Sequence, residues 1–200
     1  HRAAPRPMSR GPFARPDLTD REIDAVVAVL RSGWLTTGPV TKAFERELAS
    51  SAGAARAVGV NSGTAALHLA LEAIGIRPDD EVIVPTWTFT ASAEVVRYLG
   101  ARPVFVDVQA TDLNIDARQV ERALTERTKA IIGVDIGGRP CEWHLLRDLA
   151  SSRGIILVDD AAHALPASLR GRRIGPWADI TAFSFYATKT LTPGEGGMLV

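Results

Sequence analysis

One cysteine in 200 residues, Cys141, leaves no intrachain disulfide possible, so a packed core must stabilise the chain. Charge of either sign is not in excess: 23 Lys and Arg balance 23 Asp and Glu, which removes bulk attraction to nucleic acid or to an anionic membrane. No apolar run is long enough for a transmembrane span or a signal-peptide core, and a cytoplasmic location is the default expectation. Neither GxxxxGKS/T nor GxGxxG occurs, which counts against a nucleoside-triphosphate loop and a dinucleotide fingerprint. Closely spaced His, Cys and acidic residues are missing too, so no metal site is expected.

What is present is an ordinary globular composition, 46% hydrophobic, with enough chain for one sizeable domain. The opening HRAAPRPMSRGPFARP is rich in proline and arginine and lacks periodicity, so residues 1–12 read as a flexible arm before a domain over 13–200. TDREIDAVVAVLRSG places Ile23, Val26, Val27 and Leu30 on one helical face, with Thr19 or Asp20 as cap, and VTKAFERELASSAG predicts a second helix. From there short apolar runs (ARAVGV, EVIVP, RPVFVDV, KAIIGVD, GIILVDD, ITAFSF, GGMLV) alternate with helical stretches. Strands that apolar predict an α/β fold, a mostly parallel sheet covered by helices on both faces. The final GGMLV reads as a strand without a successor, and the chain is expected to be part of a longer protein.

In such a sheet ligands bind beyond the carboxyl ends of the strands. The candidates are therefore Asn61 to Thr64, Pro85 to Phe89, Asp135 to Gly138, Asp159 to His163 and Ser184 to Lys189. NSGTAALHLALEA runs from a strand into an apolar-striped helix, so the amides of Gly63, Thr64 and Ala65 are placed to receive a phosphate; ordinary capping by Ser62 or Thr64 explains the same residues. ILVDDAAHA ends a buried strand in Asp159 and Asp160, which alternation points to opposite sides. A buried carboxylate there needs a partner, either magnesium or the protonated nitrogen of a heterocycle. His163 either orients a ligand or is structural. PTWTFT offers Trp87 and Phe89 to a flat ring or to the core. Lys189, after ITAFSFYAT, is a lysine in an apolar setting, where burial lowers the amine pKa and prepares it to attack an aldehyde. Acid, anion seat, aromatic plate and amine together match the demands of pyridoxal phosphate.

On LRSGWLTTGP, VNSGTAALHLAL, DEVIVPTWTFTASAEVV, GARPVFVDV, RTKAII, VDDAAHALPA and FSFYATKTLTPGEGG, seven blocks in one order, the chain from about Phe13 to Val200 resembles the DegT-type sugar-nucleotide aminotransferases. These are pyridoxal-phosphate enzymes of fold type I, and the nearest likeness is to those that aminate C4 of a keto sugar carried on UDP or dTDP. The resemblance implies that Lys189 forms the internal aldimine with pyridoxal 5'-phosphate and later moves the proton, with pyridoxamine phosphate as the intermediate form. It implies that Asp160 pairs with the pyridinium nitrogen and that His163 lies near the ring oxygen. Gly63, Thr64, Ala65 and Ser184 match the phosphate region, and Phe89 matches the stacking aromatic, with Trp87 the second choice.

The resemblance further implies L-glutamate as donor, a UDP- or dTDP-linked keto sugar as acceptor, and a homodimer whose subunits share active sites. Family enzymes carry a smaller C-terminal domain that this chain lacks, so the chain alone is expected to be inactive. One position departs: members commonly have PVHYxG after the strand KAII, whereas GVDIGG puts Asp135 at the histidine position. Retention of Lys189 separates the chain from the dehydratase-like branch, which has histidine there. Two other readings share these residues: a pyridoxal-phosphate transaminase acting on an amino acid or a non-nucleotide ketone, and a non-catalytic module that binds the cofactor.

Overall fold

Every one of the seven apolar runs forms a strand, and the seven lie in one sheet. The computed structural model describes residues 14–200; the arm expected over residues 1–12 lies outside the described residues. The strands are β1 (Val58–Val60), β2 (Glu81–Pro85), β3 (Arg102–Val106), β4 (Thr128–Val134) and β5 (Ile156–Asp160); then come β6 (Ser168–Leu169) and β7 (Arg172–Arg173), a small separate hairpin; β8 (Ile180–Ser184) and β9 (Gly197–Leu199) complete the sheet. Its order is β1-β9-β8-β5-β4-β2-β3. The neighbours from β8 to β3 are parallel, and β9 alone runs against its neighbours β1 and β8.

Six helices connect or precede these strands: α1 (Asp20–Ser32), α2 (Pro39–Ala52), α3 (Gly63–Ala73), α4 (Ala91–Tyr98), α5 (Ala117–Ala123) and α6 (Trp143–Ser151). Their ends follow from side-chain chemistry. Thr19 caps α1 in a capping box with Glu22, α2 begins with Pro39 after Gly38, and Ser62 caps α3. No helix among the described residues is long and apolar enough to cross a membrane.

Period-two alternation along the central strands fills both faces. Val82, Val84, Ala130, Ile132 and Val158 pack with α3 and α4, while Ile83, Ile131 and Leu157 pack with Trp143 and Leu146 of α6 and Val120 of α5. A third cluster joins Leu48 of α2 to Phe183, Phe185 and Met198. The apolar face of α1 is formed as the periodicity predicts, yet Ile23, Val26 and Leu30 are exposed and α1 buries no residue. Its helix is thus set by capping and local propensity rather than by packing within the described residues.

Gly133 of β4 lies against the indole of Trp143, which is fully buried; a Cβ built there would stand 2.6 Å from the ring. Gly133→Ala is expected to cost about 1–3 kcal/mol, the usual range for overpacking a core. Urea denaturation measures it, and an unchanged midpoint would mean that this ring does not fix the spacing between α6 and the sheet.

Candidate active site

Five strand ends open into one cavity of about 450 Å³, within the usual range for small-molecule sites. Its walls take residues from each of the five segments expected from the sequence: Gly63 and Thr64, Phe89, Ile136, Asp160 and His163, and Ser184 and Lys189.

Asp160 is the last residue of β5 and shares parity with Val158, so its side chain enters on the α3 and α4 side. There Ser92 Oγ, in the first turn of α4, donates to Asp160 Oδ2 at 2.8 Å, and the Ala162 N–H donates to Oδ1 at 3.3 Å. Thr88 Oγ1 lies 2.6 Å from Ser92 Oγ and holds that hydroxyl in place. Burial raises the Asp160 pKa, and the Ser92 and Ala162 hydrogen bonds and the charges of His163 and Lys189 oppose the rise. A cation brought against this carboxylate would favour its ionised form. Ser92 is a functional candidate that the sequence reading missed. The signal was its position in the helical turn after PTWTFT, but only the packing of α4 against β5 pairs it with an acid 68 residues away.

Asp159 points to the opposite face, as alternation predicts, and does not line the cavity. It is fully buried and neither oxygen has a hydrogen-bond partner among the described residues. Burial and the nearby Asp135 and Asp160 push its pKa well above the ordinary carboxylate value, which favours the protonated form. Asp135 accepts from the Cys141 N–H at 2.8 Å and from Trp143 Nε1 at 3.1 Å, and burial pushes its pKa up to about 6.

The start of α3 supplies the anion seat. Ser62 Oγ takes the Ala65 N–H at 3.1 Å, so capping uses the one amide of the expected trio that does not reach the cavity. The Gly63 and Thr64 amides have no partner among the described residues and both residues line the wall. Capping by Ser62 therefore leaves the other two amides without a partner among the described residues, so the two readings of the sequence do not compete. Ser184, at the end of β8, adds its hydroxyl: a Cβ at Gly63 would stand 2.8 Å from the Ser184 Cβ and 3.2 Å from its Oγ. Gly197 of β9 passes so close beneath α3 that a Cβ there would run into the Ser62 carbonyl. The last glycine of GEGG thus lets a strand pass under the helix start.

Lys189 sits on a turn closed by its own N–H to the Tyr186 carbonyl at 2.8 Å and braced by Thr192 Oγ1 on the Phe185 carbonyl at 2.8 Å. Burial lowers its pKa, and the charge of Asp160 opposes the shift. Lys189 and Asp160 face the same cavity but form no ion pair within 4.0 Å among the described residues, which leaves space between them. His163 completes that wall, and its Nδ1 accepts the Gly137 N–H at 3.3 Å. Burial first, then Lys189, lowers the His163 pKa. Phe89 lines the cavity mouth at 76% exposure, whereas Trp87, 57% exposed, does not line it; between the two aromatics the geometry favours Phe89. Tyr186, within the Ser184 to Lys189 segment, also reaches the wall, as does Glu195, which lies outside the five segments. Among the described residues no cluster of three or more His, Cys or acidic side chains could hold a metal ion.

Comparison with known proteins agrees with this geometry. The model of the DegT/DnrJ/EryC1/StrS aminotransferase family matches residues 16–200. The spore coat polysaccharide biosynthesis protein SpsC of Bacillus subtilis is 47% identical over 188 residues, 94% of this chain and 48% of that protein. The Spr1654 protein of Streptococcus pneumoniae, described as a sugar aminotransferase and solved in pyridoxal-phosphate and pyridoxamine-phosphate forms, superposes with a TM-score of 0.92 at 43% identity, covering 94% of this chain and 51% of that one in the latter form. DesI, solved in the presence of its TDP-sugar product, gives a TM-score of 0.85 at 40% identity over 90% of this chain and 46% of its own. The chain thus spans about half the length of the relatives it matches. The mostly parallel α/β sheet expected from the sequence is the architecture of these pyridoxal-phosphate fold type I enzymes.

Asp159 gives a pH prediction. Its folded pKa lies above the unfolded value of 3.8, so the folded state keeps a proton that the unfolded state loses. The stability associated with that proton is complete below the unfolded value and falls by about 1.4 kcal/mol per pH unit until the folded pKa is passed. Asp159→Asn is neutral throughout and is expected to gain on the wild type as pH rises from about 4 to about 8. Thermal denaturation across that range measures the gain; equal differences at both ends would mean that Asp159 ionises without penalty.

Proposed function

Because the chain belongs to the DegT/DnrJ/EryC1/StrS aminotransferase family, we propose that it serves pyridoxal-phosphate-dependent transamination of a nucleotide-linked keto sugar, with L-glutamate as amino donor. The observation that carries this reading is the pairing of Lys189 with Asp160: an amine lowered by burial and a buried carboxylate in need of a cation face one cavity across a gap. The wall fits the cofactor in its other parts. Two unpartnered helix amides and the Ser184 hydroxyl suit a phosphate, and close approach of Gly63 to Ser184 leaves no side chain in the way. SpsC is named for polysaccharide biosynthesis and DesI is described with a TDP-sugar product, which supports a nucleotide-sugar substrate.

Pyridoxal phosphate, when bound, supplies a carbonyl that bonds amines and a ring that accepts the electron pair released when an adjacent C–H bond breaks. The chain's residues supply the rest. Asp160, fixed by Ser92 and Ala162, keeps a proton on the ring nitrogen. Lys189 Nζ would hold the cofactor's carbonyl end and, when free, would serve as the base that moves the substrate's proton. Gly63, Thr64 and Ser184 anchor the phosphate end, and Phe89 covers a ring face. His163 meets the ring oxygen.

The same reading assigns residues 13–200 to the large cofactor domain of a longer subunit, with a smaller C-terminal domain and a homodimer sharing active sites. These complete the site at the mouth where Phe89 and Tyr186 are exposed.

Lys189→Ala in the full-length enzyme is expected to abolish turnover and the absorbance of lysine-bound cofactor. Persistence of both would end the assignment. A spectral titration with glutamate followed by UDP- and dTDP-linked keto sugars tests the substrate. Reaction with glutamate but only with a non-nucleotide ketone would move the reading to another transaminase, and cofactor binding without a glutamate reaction would make it a non-catalytic module. Ser92→Ala removes a hydrogen bond to a buried carboxylate worth about 1.5–3 kcal/mol, so cofactor affinity is expected to fall roughly ten-fold to a hundred-fold. Equilibrium dialysis of the cofactor measures it, and unchanged affinity would mean that Asp160 needs no help from α4.

A further inference from the structure

The loop that begins at Asp135, the position that departs from the family pattern, makes the contact that decides how His163 presents its ring. Gly137 and Gly138 turn with φ of 58° and 83°, and the Gly138 N–H donates to the Asp135 carbonyl at 3.1 Å. A Cβ at Gly138 would lie 2.9 Å from the His163 carbonyl, so the glycine lets the loop rest directly on the histidine backbone. In that position the Gly137 N–H points at His163 Nδ1, 3.3 Å away.

A backbone amide can only donate, so the Nδ1 it meets must carry a lone pair. This excludes both the tautomer with the proton on Nδ1 and the imidazolium, in which both nitrogens are donors. The ring's one N–H is then Nε2, the nitrogen away from the loop. Lys189 and Asp160 are the charged groups acting on this ring, and burial together with Lys189 also favours the neutral form.

Two buried side chains set the loop. Asn114, 1% exposed, donates from Nδ2 to the Arg139 and Pro140 carbonyls, both at 3.0 Å, and accepts the Ile136 N–H on Oδ1 at 3.3 Å. Asp135 holds the loop's return through the Cys141 N–H and Trp143 Nε1. We propose that Asn114 and Asp135 are positioning residues, which hold the 136–140 loop so that the Gly137 N–H fixes His163 as the neutral tautomer protonated on Nε2. The cavity wall then offers a hydrogen-bond donor to a ligand oxygen and rejects a ligand donor at that point. What the donor serves, an anionic ring oxygen, rests on the aminotransferase reading; the tautomer itself does not.

The test is nitrogen NMR on the intact protein labelled with 15N-histidine, with the His163 signals identified by their loss in His163→Gln. At neutral pH, without cofactor, Nδ1 is expected to resonate as an unprotonated ring nitrogen and Nε2 as a protonated one. The reverse pattern, an even mixture or two protonated nitrogens would overturn the proposal. In Asn114→Ala, the ratio of Nε2–H to Nδ1–H tautomer is expected to fall by about five-fold, the equivalent of one ordinary hydrogen bond. Asn114→Asp, which keeps the acceptor for Ile136 but loses both donations, gives a second arm should the alanine variant not fold. A folded variant with the wild-type ratio would refute the positioning role. Adding pyridoxal phosphate separates the two readings: a fixed tautomer whose Nε2 signal ignores the cofactor counts against the cofactor site and leaves the loop's role standing.

Discussion

The burial of one carboxylate is the constraint around which the site is arranged. A β-strand carries Asp160 to the end of an apolar sheet, where an ionised carboxylate without partners costs several kcal/mol. The fold answers from three directions: α4 brings the Ser92 hydroxyl, the chain after β5 turns so that the Ala162 N–H faces back, and the loop after β8 brings Lys189 within electrostatic reach. None of these quenches the charge completely, and the acid remains in want of a cation. That residual demand gives the cavity its chemistry. A carboxylate saturated by an arginine, as Glu81 is by Arg127 and Arg102 at the other end of β2, has nothing left to offer a ligand.

Electrostatics on the reverse of the sheet depend on the same burial. The charges of Asp160 and Asp135 oppose ionisation of Asp159, that of Asp160 opposes ionisation of Asp135, and the partners of each decide which one yields. Asp160 has a hydroxyl, an amide and the nearby Lys189; Asp135 has an amide and an indole N–H; Asp159 has none. The proton therefore favours Asp159, the one of the three whose oxygens have no hydrogen-bond partner among the described residues.

Much of this arrangement was legible in the residues. Short, fully apolar runs separated by helical stretches specified a sheet with two covered faces, because no half-exposed strand reads that way, and the rule that ligands sit at strand ends then picked out five segments that do converge. What stayed out of reach was contact across long separations. Ser92 looks like any small polar residue in a helix until α4 packs on β5, and Asn114 is silent until the loop it clamps is folded. The uncovered face of α1 marks a different limit: periodicity specified the amphipathic helix through Ile23, Val26 and Leu30 but carried no information about what lies against it. The small hairpin β6 and β7 was missed because two-residue strands have no periodicity to detect.

The departure at Asp135 illustrates how a substitution near a site can leave the site's contacts alone. Along β4 and just past it, Val134 faces the cavity, while Asp135 faces the opposite side with Cys141 and Trp143. Asp135 on that face does not line the cavity. It can still influence the cavity through the backbone it anchors, since the loop that starts at Asp135 ends its turn against His163. Exchange of a histidine for an aspartate at this position therefore changes the acid–base content of the reverse face and the support of the loop, while the imidazole that lines the cavity remains His163. For that reason the departure bears on how the ring is held rather than on which residues meet the substrate.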